Sequence, residues 1–296
     1  MAVLTSERGR GGIGGSIPGA DQISWYFLRI SGVMLVVLAL GHIFVTHYLN
    51  VPSETTFTFV ADRWANVLWR SFDWLLLIMA LWHGLLGLRI SITDFVRPAG
   101  WRNLGYALVW IIGIVFTALG TITIFTFDEA AANANDGPLA DAHWIGDILV
   151  WSLFAFAIVT YVGTVVFAIW VGRSLRAGGP PIYTGDAGQY AWVLHRATGL
   201  GVLFFLLVHI IDIMLIGFGR EIYDETVDVY ANPFLLPMEI MLVGAVIYHA
   251  LNGIRIILVD FWTAGARRER QLFWMALIGS VLLTIPSAII ILAAEL

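Results

Sequence analysis

Two histidines occur in near-identical surroundings in the two halves of this sequence. The stretch WHGLLGLRISITD carries His83, and the stretch YHALNGIRIILVD carries His249. In both stretches Gly follows the histidine at +4, Arg at +6 and Asp at +11, inside an otherwise apolar run. Ionisable residues are expensive inside a membrane, so a histidine in such a run is a functional residue by default. The repeated spacing therefore predicts two equivalent histidines with one shared task.

A second pair of histidines appears when a shorter repeated pattern is aligned. The pattern W-x-x-x-R-x-[ST]-G occurs twice, from Trp25 and from Trp192. A histidine follows the arginine of each copy by thirteen residues, and the first pair of histidines follows 41 and 40 residues later. The four residues matched in this way are Arg29, Arg196, His42 and His209.

The composition predicts the elements that position these histidines. The chain is 59% hydrophobic and only 12% charged, which is far below the roughly 25% charged residues of soluble domains. Runs long enough to span a bilayer, about 20 residues each, predict an all-α polytopic bundle of about seven transmembrane helices. The predicted spans are 25–49, 71–96, 104–127, 145–172, 192–218, 237–262 and 272–294. Cysteine is absent, which excludes iron–sulfur clusters and disulfides within this chain.

The two copies divide the chain into four predicted parts. A tail, 1–24, precedes a three-helix repeat at 25–127, a linker with an extra span at 128–186 and a second three-helix repeat at 187–296. The extra span returns the chain to its starting side, so that both repeats run in the same direction. Parallel repeats are related by an axis along the membrane normal, which places matched residues at one depth. This symmetry pairs His83 with His249, and His42 with His209.

Arginine placement predicts the orientation of the chain in the membrane. All basic residues are arginine, and nine of them lie in the segments on the side of the N-terminus, against three in the opposite loops. Positively charged loops remain cytoplasmic. We therefore predict a cytoplasmic N-terminus and an outer C-terminus, with no indication of nucleic-acid binding.

Two matched pairs of histidines favour axial ligation of haem. A single membrane histidine often makes only an interhelical hydrogen bond, and a relay of histidines also suits a proton-carrying transporter with parallel repeats. Neutral imidazole is a good axial ligand for haem iron, and haem propionates need cations near the membrane surface. Lipid-facing snorkelling is the alternative for those cations. The candidate arginines are Arg29, Arg89, Arg196 and Arg255.

These residues make the chain resemble the membrane anchor of succinate dehydrogenase and fumarate reductase, respiratory complex II. Residues 187–296 resemble the C-type anchor subunit, through WVLHRATG from Trp192 and the motif around His249. Residues 20–127 resemble the D-type subunit, through SWYFLRISG from Ser24 and the motif around His83. The chain looks like a fusion of the two types through the extra helix.

The resemblance implies roles for individual residues. His83 and His249 match the ligands of the haem nearest the cytoplasm, and His42 and His209 stand where two-haem members have further ligands. His195 and Arg196 match a pair that contacts a propionate and the quinone site. The implied quinone-site residues are Trp192, Arg196, Asp94 and Phe95. The family pattern often has serine at the position of Trp192, tyrosine at that of Phe95 and histidine at that of Ile256.

The resemblance also implies cofactors and partners. It implies two b-type haems, a quinone substrate, with menaquinone expected, and no catalytic residue for succinate in this chain. The flavoprotein and iron–sulfur subunits would dock on the cytoplasmic face of a prokaryotic inner membrane, with a homo-oligomer of the whole complex as a further expectation. The alternatives within the family are a mono-haem anchor and a haem-free anchor.

Overall fold

A computed structural model of the chain describes residues 20–130, 187–230, 232, 233 and 235–295, with isolated positions between 144 and 155. Every regular element in these ranges is helical. The α-helices are α1 Ala20–His47, α2 Phe57–Ala65, α3 Val67–Phe95, α4 Ala99–Thr126, α5 Ala187–Met214, α6 Arg220–Tyr230, α7 Leu236–Phe261, α8 Thr263–Arg267 and α9 Glu269–Glu295. The 3₁₀ turns are Pro52–Glu54 and Leu215–Phe218.

Six of these helices are long and apolar enough to cross a membrane. They are α1, α3, α4, α5, α7 and α9, and each coincides with a predicted span. Large apolar side chains on their outer faces are exposed, as expected of a surface in contact with lipid. The seventh predicted span, 145–172, lies almost entirely outside the described residues. The fold is therefore an all-α polytopic membrane bundle.

Helix boundaries differ from the predicted spans by a few residues. Helix α1 begins at Ala20, five residues before the predicted span, so the predicted tail at 1–24 overlaps it. Helix α3 begins at Val67 rather than at residue 71, because the Asn66 side chain accepts a hydrogen bond from the Leu68 N–H, at 2.8 Å, and caps the helix. Polar end residues lower the local hydropathy, so hydropathy alone places such ends inside the true helix.

Four helices form the centre of the bundle. Helix α1 packs on α3, and α5 packs on α7, while α3 also contacts α5 and α1 also contacts α7. Helix α4 lies against α3, and α9 lies against α7. Helices α1, α3, α5 and α7 thus form one four-helix core, and helices α4 and α9 flank it.

The close approach of α4 to α3 depends on glycine. A Cβ atom at Gly113 would lie 2.8 Å from Trp82 Cη2, and one at Gly120 would lie 2.6 Å from Leu77 Cδ2. The Trp82 ring is fixed, because its Nε1 donates to Thr117 Oγ1 at 3.1 Å. Small residues at helix interfaces let membrane helices approach closely.

Two short helices, α2 and α6, meet over the end of the bundle that lies farther from residues 94 and 260. The Phe57 N–H donates to Asp224 Oδ1 at 2.6 Å, and Arg220 Nη1 donates to Thr58 Oγ1 at 2.7 Å. Phe57 is fully buried. Gly219 precedes α6 with φ 114°, a left-handed conformation that glycine adopts without strain. We refer to α2 and α6 together as the outer cap.

Substituting Gly113 with alanine should weaken the α3–α4 interface. The new methyl group would overlap a ring that cannot move cheaply, so we expect a loss of about 1–3 kcal/mol of stability, as for other overpacked sites. Thermal unfolding in detergent, followed by far-ultraviolet circular dichroism, measures this. Gly201→Ala is the matched control, because a Cβ atom there meets no atom within 4 Å. Equal unfolding temperatures for both variants would contradict the packing argument.

Candidate functional site

His83 on α3 and His249 on α7 face each other across the centre of the bundle. Their ring centres are 6.2 Å apart and the rings are inclined by 86°. An imidazole nitrogen lies about 2.0–2.1 Å from a first-row metal it binds and about 1 Å from its own ring centre, so two imidazoles flanking one metal have ring centres about 6 Å apart. The spacing fits one metal ion between the rings. We call this the inner pair.

Hydrogen bonds at Nδ1 fix the tautomers of the inner pair. Ser31 Oγ donates its hydrogen to the Phe27 carbonyl oxygen, 2.6 Å away. The same hydroxyl oxygen lies 2.9 Å from His83 Nδ1, so it accepts a hydrogen bond there and Nδ1 carries the proton. His249 Nδ1 lies 3.0 Å from the carbonyl oxygen of His195, which only accepts. Both neutral rings therefore present the lone pair of Nε2, the arrangement that a metal ligand requires.

His42 on α1 and His209 on α5 form a second pair, with ring centres 6.1 Å apart and an inclination of 67°. Ser31 lies level with His83, and His42 follows Ser31 by eleven residues. Eleven helical residues rise about 16 Å. The second pair, which we call the outer pair, therefore lies well separated from the inner pair and nearer the outer cap.

A carboxylate that sequence reasoning missed stands behind the outer pair. Asp73 Oδ1 lies 3.8 Å from His42 Nδ1. Arg63 of α2 donates to both oxygens of this carboxylate, at 2.8 and 2.7 Å, and Trp64 Nε1 donates to it at 3.0 Å. Carboxylates commonly orient histidines that bind metals. The outer cap thus anchors the residue that faces His42.

Among the described residues, a ring is stacked beside the His249 side of the inner pair. The ring of His195 lies parallel to the ring of His249, with 3.9 Å between centres and an inclination of 7°. His195 Nδ1 is buried and has no hydrogen-bond partner. Arg196 Nη1 and Arg255 Nε are likewise buried without partners. Buried donors are normally satisfied, so this group of three has the chemistry to receive an anion such as a propionate.

The arginines predicted for propionates each have a partner in the protein. Arg29 pairs with Asp260 at 2.7 Å, and Arg255 pairs with Glu269 at 2.7 Å. Arg89 lies over the ring of Tyr106, with Cζ 5.5 Å from the ring centre. Arg196 pairs with Asp94. Their propionate roles stay predictions, and the unpartnered atoms of Arg196 and Arg255 make these two the better candidates.

The four residues predicted for a quinone site meet at one place. Arg196 donates to Asp94, and its Cζ lies 3.7 Å from the centre of the Trp192 ring. The rings of Trp192 and Phe95 are 5.9 Å apart. We call these four residues the Arg196 cluster. It joins the start of α5 to the end of α3, and thereby one half of the chain to the other.

Asp212 is a further buried acid that the sequence did not single out as a site. It lies one turn after His209 on α5 and is 4% exposed. It accepts a hydrogen bond from the hydroxyl of Tyr230, at the end of α6. Burial raises the pKa of the Tyr230 phenol well above its usual range, so the hydroxyl keeps its proton and donates.

The fold and the four facing histidines define a class, that of all-helical membrane proteins with two bis-imidazole pairs at different depths. In the described part of the chain no three His, Cys, Asp or Glu residues cluster to hold a metal, whereas a haem takes only two axial ligands. The sequence matches the family "Succinate dehydrogenase/Fumarate reductase transmembrane subunit" over residues 15–122 and 173–286. The chain belongs to this family. It is therefore a multi-pass membrane subunit of an oxidoreductase complex.

Two characterised relatives agree with this assignment. The chain is 42% identical over 128 residues to the succinate dehydrogenase 2 membrane subunit SdhC of Mycobacterium tuberculosis, covering 42% of this chain and 90% of the relative. It is 28% identical over 103 residues to the succinate dehydrogenase hydrophobic membrane anchor subunit of Halobacterium salinarum, covering 34% of this chain and 78% of the relative.

Substituting Tyr230 with phenylalanine should destabilise the outer cap. Removal of the hydroxyl leaves the buried Asp212 carboxyl without its donor, and we expect a loss of about 1–3 kcal/mol. Thermal unfolding in detergent measures the loss. Tyr223→Phe, on the same short helix, removes a hydroxyl without touching the bond to Asp212 and should lose less. If Tyr223→Phe lost as much stability as Tyr230→Phe, the bond would have no special importance.

Proposed function

We propose that this chain is the di-haem b membrane anchor of a succinate:quinone oxidoreductase. In this role it passes electrons between a peripheral flavoprotein and iron–sulfur pair and the quinone of the membrane. The observation that carries the proposal is the pair of facing imidazole couples, with ring centres 6.2 and 6.1 Å apart. A structural hydrogen bond between histidines would require nitrogens within about 3 Å of each other, so a direct bond is not the reason for this spacing.

The inner pair would hold one haem and the outer pair a second. A bound haem supplies one-electron transfer, while the protein sets its ligands and surroundings. Ser31 and the His195 carbonyl hold the inner rings with Nε2 available. Asp73 holds a negative charge near His42, and Arg63 neutralises it from the outer cap.

The unpartnered donors near His249 would bind the propionates of the inner haem. His195 stacks on His249, and its Nδ1 has no partner. Arg196 and Arg255 each have a buried nitrogen in the same condition. Two propionates carry two negative charges, and charge-assisted hydrogen bonds to guanidinium groups satisfy such anions well. Arg29 and Arg89 are the weaker candidates, because Arg29 is paired with Asp260 and Arg89 lies over the ring of Tyr106.

The Arg196 cluster would bind the quinone headgroup. The guanidinium of Arg196 donates to a quinone carbonyl, and the flat rings of Trp192 and Phe95 cover the faces of the headgroup. Asp94 keeps the guanidinium in position through their hydrogen bond.

The remaining proposals concern the surroundings of the chain. The catalytic flavoprotein and iron–sulfur subunits would dock at the cytoplasmic end, where the Arg196 cluster lies, and the N-terminus would face the cytoplasm of a prokaryotic cell. Menaquinone is the proposed quinone, and a homo-oligomer of the whole complex is the proposed assembly. The succinate site would lie in the flavoprotein.

The haem content of the purified complex tests the proposal directly. A pyridine haemochrome assay should give about two haems b per chain. His83→Ala and His42→Ala should each remove one haem, and low-temperature spectra should lose a different component in each variant, because the two residues belong to different pairs. One haem, lost only with His83, would remove the outer site, and no haem in the intact complex would remove the whole proposal.

A glycine beside each inner histidine gives a second test with a built-in control. A Cβ atom at Gly199 would lie 2.7 Å from His249 Cε1, whereas one at the matching Gly32 would lie 3.5 Å from His83 Cε1, an ordinary contact. Gly199→Ala should therefore displace the His249 ring and lower the inner haem content severalfold. Gly32→Ala should leave the content unchanged, and an unchanged haem content in Gly199→Ala would contradict a ligand role for His249.

A further inference from the structure

The Arg196 cluster has a counterpart on the other side of the bundle. Arg29 donates to Asp260 Oδ2 through Nε at 3.0 Å and through Nη2 at 2.7 Å. Its Cζ lies 4.5 Å from the centre of the Trp25 ring, and the rings of Trp25 and Phe261 are 5.5 Å apart. We call Trp25, Arg29, Asp260 and Phe261 the Arg29 cluster. It contains the same four residue types in the same three contacts.

The likeness extends to position along the chain. In each cluster the tryptophan precedes the arginine by four residues on the first helix of one half. The Asp–Phe pair ends the second helix of the other half, with the aspartate eleven residues after an inner histidine. Each arginine also lies two residues before the hydroxyl residue, Ser31 or Thr198, that contacts the inner pair. The two clusters therefore lie at the same depth, on opposite sides of the inner pair.

Stability alone does not account for the Arg29 cluster. The side chains of Arg29 and Asp260 are 21% and 27% exposed, and a partly exposed ion pair contributes little to stability. An ion pair also needs no flanking rings. Phe261 is nevertheless 59% exposed beside Trp25 and the charged pair, so an aromatic face is left open next to hydrogen-bonding groups.

The chemistry of the cluster selects among ligands. A lipid phosphate favours a guanidinium without a carboxylate partner, and Asp260 would repel it. A quinone headgroup is flat and uncharged and has two carbonyl acceptors. It suits an arginine donor, two aromatic rings and a carboxyl group at the membrane boundary. From this combination we infer that the Arg29 cluster is a second quinone-binding site on the cytoplasmic side, an inference that rests on the quinone role proposed for the Arg196 cluster.

The two sites differ in the donors that they offer. Arg196 uses one nitrogen on Asp94 and has a buried Nη1 without a partner. Arg29 uses two nitrogens on Asp260. Losing one hydrogen bond to a charged group weakens binding by about tenfold or more, so the Arg29 site is the weaker of the two.

Equilibrium binding to the intact complex tests the inference. The complex is purified in detergent, depleted of quinone and titrated with a naphthoquinone that carries a short isoprenoid tail. Bound naphthoquinone is counted by ultrafiltration against empty micelles. We expect two headgroups per chain in two classes whose dissociation constants differ about tenfold or more.

Ring variants separate binding from the ion pairs, which they leave intact. Phe261→Leu should weaken only the lower-affinity class severalfold, and Phe95→Leu should weaken only the higher-affinity class. Arg29→Met should remove the lower-affinity class, with an unchanged far-ultraviolet circular dichroism spectrum reporting an intact fold. The matching variant, Arg196→Met, should remove the higher-affinity class.

The outcomes distinguish this inference from the function on which it rests. A single class of sites that is lost in Arg196→Met and unchanged in Phe261→Leu and Arg29→Met would overturn the second site alone. A higher-affinity class that survives Arg196→Met would overturn the quinone role of the Arg196 cluster, and the second site would fail with it.

Discussion

Two imidazole rings from opposite halves of the chain face each other at mid-bundle. The hydrogen bonds that hold these rings also link the central helices to one another. His83 is fixed by Ser31 of α1, and His249 by the carbonyl of His195 on α5. Polar groups in a bilayer must find partners within the protein, because lipid offers none. Each histidine therefore ties two helices together at one level, and the facing of the two rings brings the four central helices to a common axis.

The two halves also form ion pairs with each other at the ends of their helices. Arg29 of α1 pairs with Asp260 at the end of α7, and Arg196 of α5 pairs with Asp94 at the end of α3. Partly exposed ion pairs contribute about 0–1 kcal/mol each, whereas helices in a membrane associate mainly through close van der Waals packing and interhelical hydrogen bonds. Apolar packing therefore holds the halves together, and the ion pairs fix their register.

Much of the centre of the molecule could be predicted from the sequence, because the same residue spacing occurs in both halves. Matched spacing predicted both histidine couples, and the family resemblance implied that Arg196 and Asp94 belong to one site. The outer cap was not predictable in the same way. Helices α2 and α6 are too short and polar to give a membrane signal. Within the ranges that the structure describes, the contacts of Arg63 with Asp73 and of Tyr230 with Asp212 have no repeated counterpart. A polar contact that is not repeated in the sequence can be recognised only from the folded structure.

Departures from symmetry explain why the two sides of such a scaffold can differ in function. His195 stacks on His249, but the matching position in the first half is Leu28, which offers no ring and no donor. The backbone beside His249 is also closer, so Gly199 is sterically required where Gly32 has space. Unpartnered nitrogens accumulate on this side, at His195, Arg196 and Arg255. The two halves thus have equivalent backbones, but the buried nitrogens without a hydrogen-bond partner beside the inner pair lie in the second half.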